Sequence, residues 1–201
     1  MEVEEVGDAY AQGTSRGHLV VMNDDFPEIP FGDRDVYFAC WEWIDRCFLD
    51  DVFVTVDSKF LMLLGGLLKE QFEVIEPYFC KITVRKCSRC LHHCCVNRHG
   101  FPDFEDMIVR RAMGLGILEY DFSVSDVEVC QFLEKEGCRL TRYERSYRCS
   151  WYFCDAVFDC FNQDDALGFA GFQLQMSLLG LIRQCILRGF SEAEVFPEMF
   201  K

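Results

Sequence analysis

No hydrophobic run in the 201-residue chain approaches the length needed to cross a bilayer. The longest, Phe60 to Leu68, is about half of what a spanning helix requires. Catalytic signatures are equally scarce. Gly114-Leu115-Gly116 is too short to cradle a phosphate and follows no strand pattern. There is no Gly-x-Ser-x-Gly elbow, and no His-x-Glu or His-Glu-x-x-His pattern sets a base beside a metal. A cysteine nucleophile needs a nearby histidine; pairs such as Cys40 with His18 exist, but nothing singles one out. These absences point away from an enzyme and from a membrane-spanning chain. Positive charge is also short. Lys and Arg number 20 against 34 Asp and Glu, for a net charge of −14, and that field repels nucleic acid and anionic membrane. Met1 to Asp8 is acidic, so neither a secretory signal nor a transit peptide is expected.

What is abundant is apolar and sulfur-bearing. Half of the residues are hydrophobic and 20 are Phe, enough for a sizeable core. Thirteen cysteines without a leader imply an intracellular, reducing compartment, where thiols are buried or bound to metal rather than paired. Residues 1–30 read as an acidic, poorly ordered tail with Gly7, Gly13 and Gly17. Pro27 and Pro30 stiffen its last residues. Residues 31–201 read as one Cys-rich domain without repeats.

Periodicity predicts a helix from Asp35 to Leu49, with Val36, Cys40, Trp43, Ile44 and Cys47 on one face. Asp51 to Val56 reads as a short strand. Asp57 caps a second helix reaching about Phe72, with Leu61, Leu64, Leu67 and Leu68 inside and Gly65-Gly66 marking a close crossing or a kink. Phe79 to Lys86 alternates as a half-buried strand does. Asp103 caps a third helix, Phe104 to Met113, and Ser125 with Glu128 forms a capping box for a fourth that ends at Gly137. Thr141 to Phe153 reads as a strand, paired in a hairpin with Arg139 to Tyr143. Asp165 to Arg188 is the last helix, stopped by Gly189, with Leu174, Leu178, Leu181 and Cys185 on one side. The expected fold is α+β: a single small zinc-stabilised domain with helices packed on short antiparallel strands.

The zinc expectation comes from Lys86 to His99, which holds four of the 13 cysteines and three of the four histidines. A C-x2-C pair such as Cys87 and Cys90 lets a tight turn aim both sulfurs at one tetrahedral ion. A complete local set is Cys87, Cys90, Cys95 and His99, with His92, His93 and Cys94 as alternates. The other reading takes two ligands from this stretch and two from far along the chain, Cys149 and Cys154. The metal is expected to be structural, since no base stands beside it. Two basic groups interrupt the acidic chain, Lys81, Arg85, Lys86, Arg89 and Arg98, and then Arg139, Arg142, Arg145 and Arg148. They fit pairing with the protein's own carboxylates better than contact with nucleic acid. A zinc-dependent nucleic-acid-binding regulator using residues 81–99 is the alternative reading.

Three stretches resemble the adenoviral early-region-four thirty-four-kilodalton protein family. Glu42-Trp43-Ile44, followed by Asp51-Val52, Val54-Thr55 and a leucine-rich helix, is similar to that family's Glu-Trp segment and following helix. His92-His93-Cys94-Cys95 resembles its His-Cys-His-Cys cluster, and Cys149 to Cys160 with Asp155-Ala156 its later cysteine group. The resemblance implies a viral early protein of the host nucleus or cytoplasm. It also implies a non-enzymatic adaptor that brings host targets to a cullin–elongin ubiquitin ligase, working with a second viral early protein. Leu181 and Cys185 match the family's Leu-x3-Cys elongin-binding element, although Gly180 and Gly189 depart from its flanks. By spacing alone, the same pair equally describes ordinary core packing, the commoner use of such a face.

Overall fold

The computed structural model describes residues 26–53, 56–86, 94–152, 154 and 166–191. Helix α1, Arg34–Asp50, starts where the Asp33 carboxylate accepts the Val36 N–H at 3.0 Å. It stops at Asp51, which takes a left-handed φ of 49° and returns its N–H to the Cys47 carbonyl. Its buried face carries Tyr37, Cys40, Ile44, Cys47 and Phe48. Residues 51–53 and 56 are not a strand. Asp51 ends α1 and its side chain accepts the Ser58 N–H at 2.9 Å, so this short connection is spent joining two helices.

Helix α2, Ser58–Lys86, is the long central element. It overturns the strand expected at Phe79 to Lys86. Leu68, Phe72, Ile75 and Phe79 are all buried, a three- and four-residue spacing that carries the helix through Pro77. That proline lies on the exposed side, where one missing backbone donor is tolerated. Leu67, expected inside, is 45% exposed. Gly65 is the predicted close crossing. A Cβ there would collide with the Ala112 carbonyl and lie 2.6 Å from the Met113 nitrogen.

Two short helices follow, α3 at Asn97–Gly100 and α4 at Phe104–Ala112. Asp103 caps α4 through the Asp106 N–H at 2.8 Å. The helix expected from Ser125 does not form. Its backbone is committed elsewhere: the Glu128 carbonyl accepts from Asn97 at 2.7 Å, the Asp126 carbonyl from Arg98 at 3.0 Å, and Val129 bridges Val96. Strands β1, Leu133–Glu134, and β2, Gly137–Cys138, make a small antiparallel hairpin, with Gly137 at φ 123° opening β2 just after the turn rather than ending a helix. The strand expected from Thr141 is instead a 3-10 turn, Arg142–Glu144, and a one-turn helix α5, Arg148–Trp151. The Glu144 carboxylate accepts both the Thr141 N–H and hydroxyl, closing the turn; Phe153 lies outside the described residues.

Helix α6, Ala166–Ser191, runs antiparallel to α2. Gln71 donates to the Gln175 side chain at 2.5 Å midway, Gly171 lies beside Tyr78 near one end, and Gly189 lies beside Leu61 near the other. Gly189 is therefore a packing residue and not the helix stop, since a Cβ would stand 2.7 Å from Leu61. The fold is mostly helical with one two-stranded sheet, in keeping with an α+β class. The core is built by α1, α2, α4 and α6 rather than by helices laid on strands. Phe26 stacks on Phe104 at 5.9 Å and approaches Phe190 at 6.4 Å, so packing begins a few residues before the boundary expected at residue 31. No helix among the described residues is long and apolar enough to cross a membrane.

Candidate functional site

Residues Cys94 to Gly100 are pinned into one rigid loop-and-turn. Asn97 is fully buried. Its amide donates to the Val124 carbonyl at 3.0 Å and accepts from the Gln131 side chain at 3.1 Å, while its own carbonyl accepts the Tyr120 hydroxyl at 3.0 Å. The Cys130 N–H donates to the Cys95 carbonyl at 2.9 Å. Gly100 is required, because a Cβ there would meet the Cys130 sulfur at 2.7 Å. Neither Asn97 nor Gly100 was marked by periodicity; a polar residue and a glycine beside a cysteine run were the only signs.

Thiols gather on this loop. The Cys94 thiol lies near those of Cys95 and Cys154, and the neighbouring Cys95 first, then burial, raise its pKa. The Cys149 thiol donates to the His99 carbonyl at 3.5 Å, and burial pushes it up to about 12. His99 Nδ1 faces the Cys94 carbonyl at 2.9 Å. A carbonyl only accepts, so that nitrogen carries the hydrogen and Nε2 keeps its lone pair. A ring nitrogen hydrogen-bonded to a backbone carbonyl is how metal-bound histidines are usually oriented. Burial holds His99 below the ordinary imidazole pKa, helped by Arg148 and Arg98. All described cysteines are free thiols.

Of the residues expected to bind zinc, Cys94, Cys95, His99, Cys149 and Cys154 are described and lie around α3. Cys87, Cys90, His92 and His93 lie outside the described residues. Among the described residues, no three His, Cys, Asp or Glu side chains are grouped to hold a metal ion. The donor types present there, thiols and an imidazole whose Nδ1 is turned to a carbonyl, are ones that zinc takes. Cys40, the other cysteine considered for chemistry, is buried in α1 with its pKa pushed up to about 12 by burial, and it is a core residue.

The second basic group is largely absorbed by the fold. Arg142 is buried, pairs with Glu76 at 2.8 Å, and lies 3.8 Å over the Phe79 ring. Arg145 donates to the Leu140 carbonyl at 2.9 Å, and Arg139 covers the Phe132 ring. Of the first group only Arg98 has a described side chain, and it is exposed.

The α6 stripe expected to face the core does not. Its buried residues are Phe172, Met176, Leu179, Arg183, Ile186, Leu187 and Phe190. Leu174 is 67% exposed and Leu181 60% exposed, with Leu178 and Cys185 also exposed on the same stripe. A parallel stripe on α2, Phe60, Leu63, Leu67 and Val74, is exposed as well. The sequence hinted at this through apolar residues in excess of what one buried face can use.

Comparison with protein-family models, with characterised proteins and with solved structures returned no match to this chain.

Proposed function

We propose that this chain is a non-enzymatic interaction protein that docks a helical partner on the outer face of α6. The observation carrying this reading is the placement of Leu181 and Cys185. They stand exposed, one turn apart, in line with Leu174 and Leu178 on a helix whose opposite face is fully used by the core. Apolar anchors at three- and four-residue steps are what an amphipathic recognition element presents. The resemblance noted above makes the partner an elongin and the assembly a cullin ubiquitin ligase, with the chain acting in the host nucleus or cytoplasm as a viral adaptor. Capture of elongin and cullin from cell extract is expected with the intact chain. Leu181→Ala/Cys185→Ala is expected to lose both while keeping its helical circular dichroism, because the two side chains are not core. Capture undiminished by the double substitution would remove this face from the interaction.

Zinc completes the reading as a structural cofactor whose ligands come from the sequence between Cys87 and His99. The ligands are Cys87, Cys90, Cys95 and His99, with Cys94, which neighbours Cys95, or Cys154, which lies near Cys94, as replacements. The ion would supply tetrahedral cross-linking and no catalysis. Protein purified without added zinc is expected to carry at least one equivalent by metal analysis and to melt at lower temperature after chelation. Less than half an equivalent, with an unchanged melting curve, would defeat the metal.

A further inference from the structure

We infer that the outer faces of α2 and α6 together pair with the same surface of a second copy of this chain, making a four-helix layer. The inference deepens the docking reading above, on which it rests, by naming what covers the face before a foreign partner arrives. The Gln71–Gln175 contact fixes the two helices side by side. Leu67 and Val74 stand one turn on either side of Gln71, and Leu178 stands one turn beyond Gln175. The two exposed stripes therefore flank one groove and form a single apolar surface.

Size argues for a second copy. Seven large apolar side chains on this surface, from Phe60 to Leu181, are each at least 43% exposed. Together they offer on the order of 700 Å², above the ~300–600 Å² patch of an ordinary monomer and close to the ~800 Å² per partner that a stable complex buries. Width argues the same way. Two helices packed about 8–10 Å apart present a face nearly twice as broad as one helix of ~10–12 Å diameter, so a lone partner helix leaves part of it wet. Another two-helix face of equal width covers it, as an isologous two-fold contact does.

Charge argues for this face over the rest of the surface. The chain carries −14, and two copies repel wherever their acidic surfaces meet. Helix α6 contains none of the 34 Asp and Glu residues, and of its two arginines Arg183 is buried. Its outer face therefore opposes no carboxylates of its own when two copies approach, and the exposed carboxylates bordering the surface, Glu70 and Glu73, stand on α2.

Light scattering of the purified full chain, with reductant present so that Cys185 cannot cross-link, is expected to give twice the 23.5 kDa chain mass at micromolar concentration. Leu63→Glu/Leu67→Glu on α2 is expected to weaken self-association by about 100-fold or more, leaving a monomer with unchanged circular dichroism. That variant keeps Leu181 and Cys185, and so keeps elongin capture if the partner reading holds. Loss of capture with the dimer intact would sink the partner and leave this inference standing. A wild-type monomer at all concentrations, or a dimer indifferent to Leu63→Glu/Leu67→Glu, would overturn it.

Discussion

Gly65→Ala is expected to destabilise the fold by about 3 kcal/mol or more, whereas Gly66→Ala, one residue on, is expected to stabilise it by about 0.5–1 kcal/mol. At Gly65 the added methyl points into α4 and meets backbone, namely the Ala112 carbonyl and the Met113 nitrogen at 2.6 Å. Backbone atoms of a packed helix have no rotamer through which to yield. Either α2 and α4 move apart, opening contacts around Leu68 and Ile108, or the helix ends distort. At Gly66 nothing lies within 4 Å of the same methyl. Alanine there only removes freedom from the unfolded chain and suits the helix better. For a chain of this size each kcal/mol moves the midpoint by about 2–4 °C, so the two variants are expected to melt on opposite sides of wild type. Equal effects at both positions would mean that α2 and α4 do not cross at Gly65.

This crossing was legible because two adjacent glycines inside an otherwise good helix are costly and need a reason. So were α1, α4 and the position of the last helix, where an aspartate cap or a long apolar period stands clear of competing signals. Phe79 to Lys86 was misread because a few alternating residues fit a strand, while the evidence for helix lay upstream, in the stripe ending at Phe79. Ser125 to Gly137 was misread because a capping box describes only what a backbone can do alone. The carbonyls it needs are taken by Asn97 and Arg98, some 30 residues earlier in the chain, and no local pattern announces that. Thr141 and Glu144 formed a true capping box that closed only one turn. Which of the two α6 stripes stays exposed was not legible, for a related reason. Periodicity shows that a helix has an apolar face, but α6 has two, and only tertiary packing decides which is covered.

The candidate centre follows the same division. Spacing offered two ligand sets, Cys87, Cys90, Cys95 and His99, or two residues of that stretch with Cys149 and Cys154, because cysteine and histidine are rarely so dense without a common task; of these, Cys95, His99, Cys149 and Cys154 are described and lie around α3. It did not identify the clamp that gathers them. Asn97 holds the loop through four contacts to residues 120–131, so the geometry of His99 depends on a neutral side chain with no metal chemistry of its own.

Arg183→Met is expected to have the other large effect, about 3–5 kcal/mol at neutral or higher pH, and to recover in part in mild acid. Arg183 enters the core from α6 and is only 4% exposed. Its Nη2 meets the Glu105 carboxylate at 2.6 Å and Asp106 Oδ1 at 3.8 Å, and its guanidinium lies 4.4 Å over the Tyr147 ring. Methionine fills much of that volume but strands two carboxylates. Asp106 is already the strained member. Burial first, then the Asp103 carboxylate, push it up to about 7, against the opposing pull of Arg183 and the Tyr147 N–H; one of its oxygens has no hydrogen-bond partner. With the folded pKa above the unfolded one, the native state holds a proton that the unfolded chain releases. Stability therefore falls as pH rises from about 4 to about 7 and levels off above that. Removing Arg183 takes away a charge that favours ionised Asp106, so the fall becomes deeper and extends to higher pH. Urea unfolding at about pH 5 and about pH 8 checks this. The loss from Arg183→Met is expected to be clearly larger at the higher pH, and adding Asp106→Asn is expected to shrink that difference. A loss of the same size at both pH values, unaffected by Asp106→Asn, would show that Arg183 acts through packing and not by balancing buried charge.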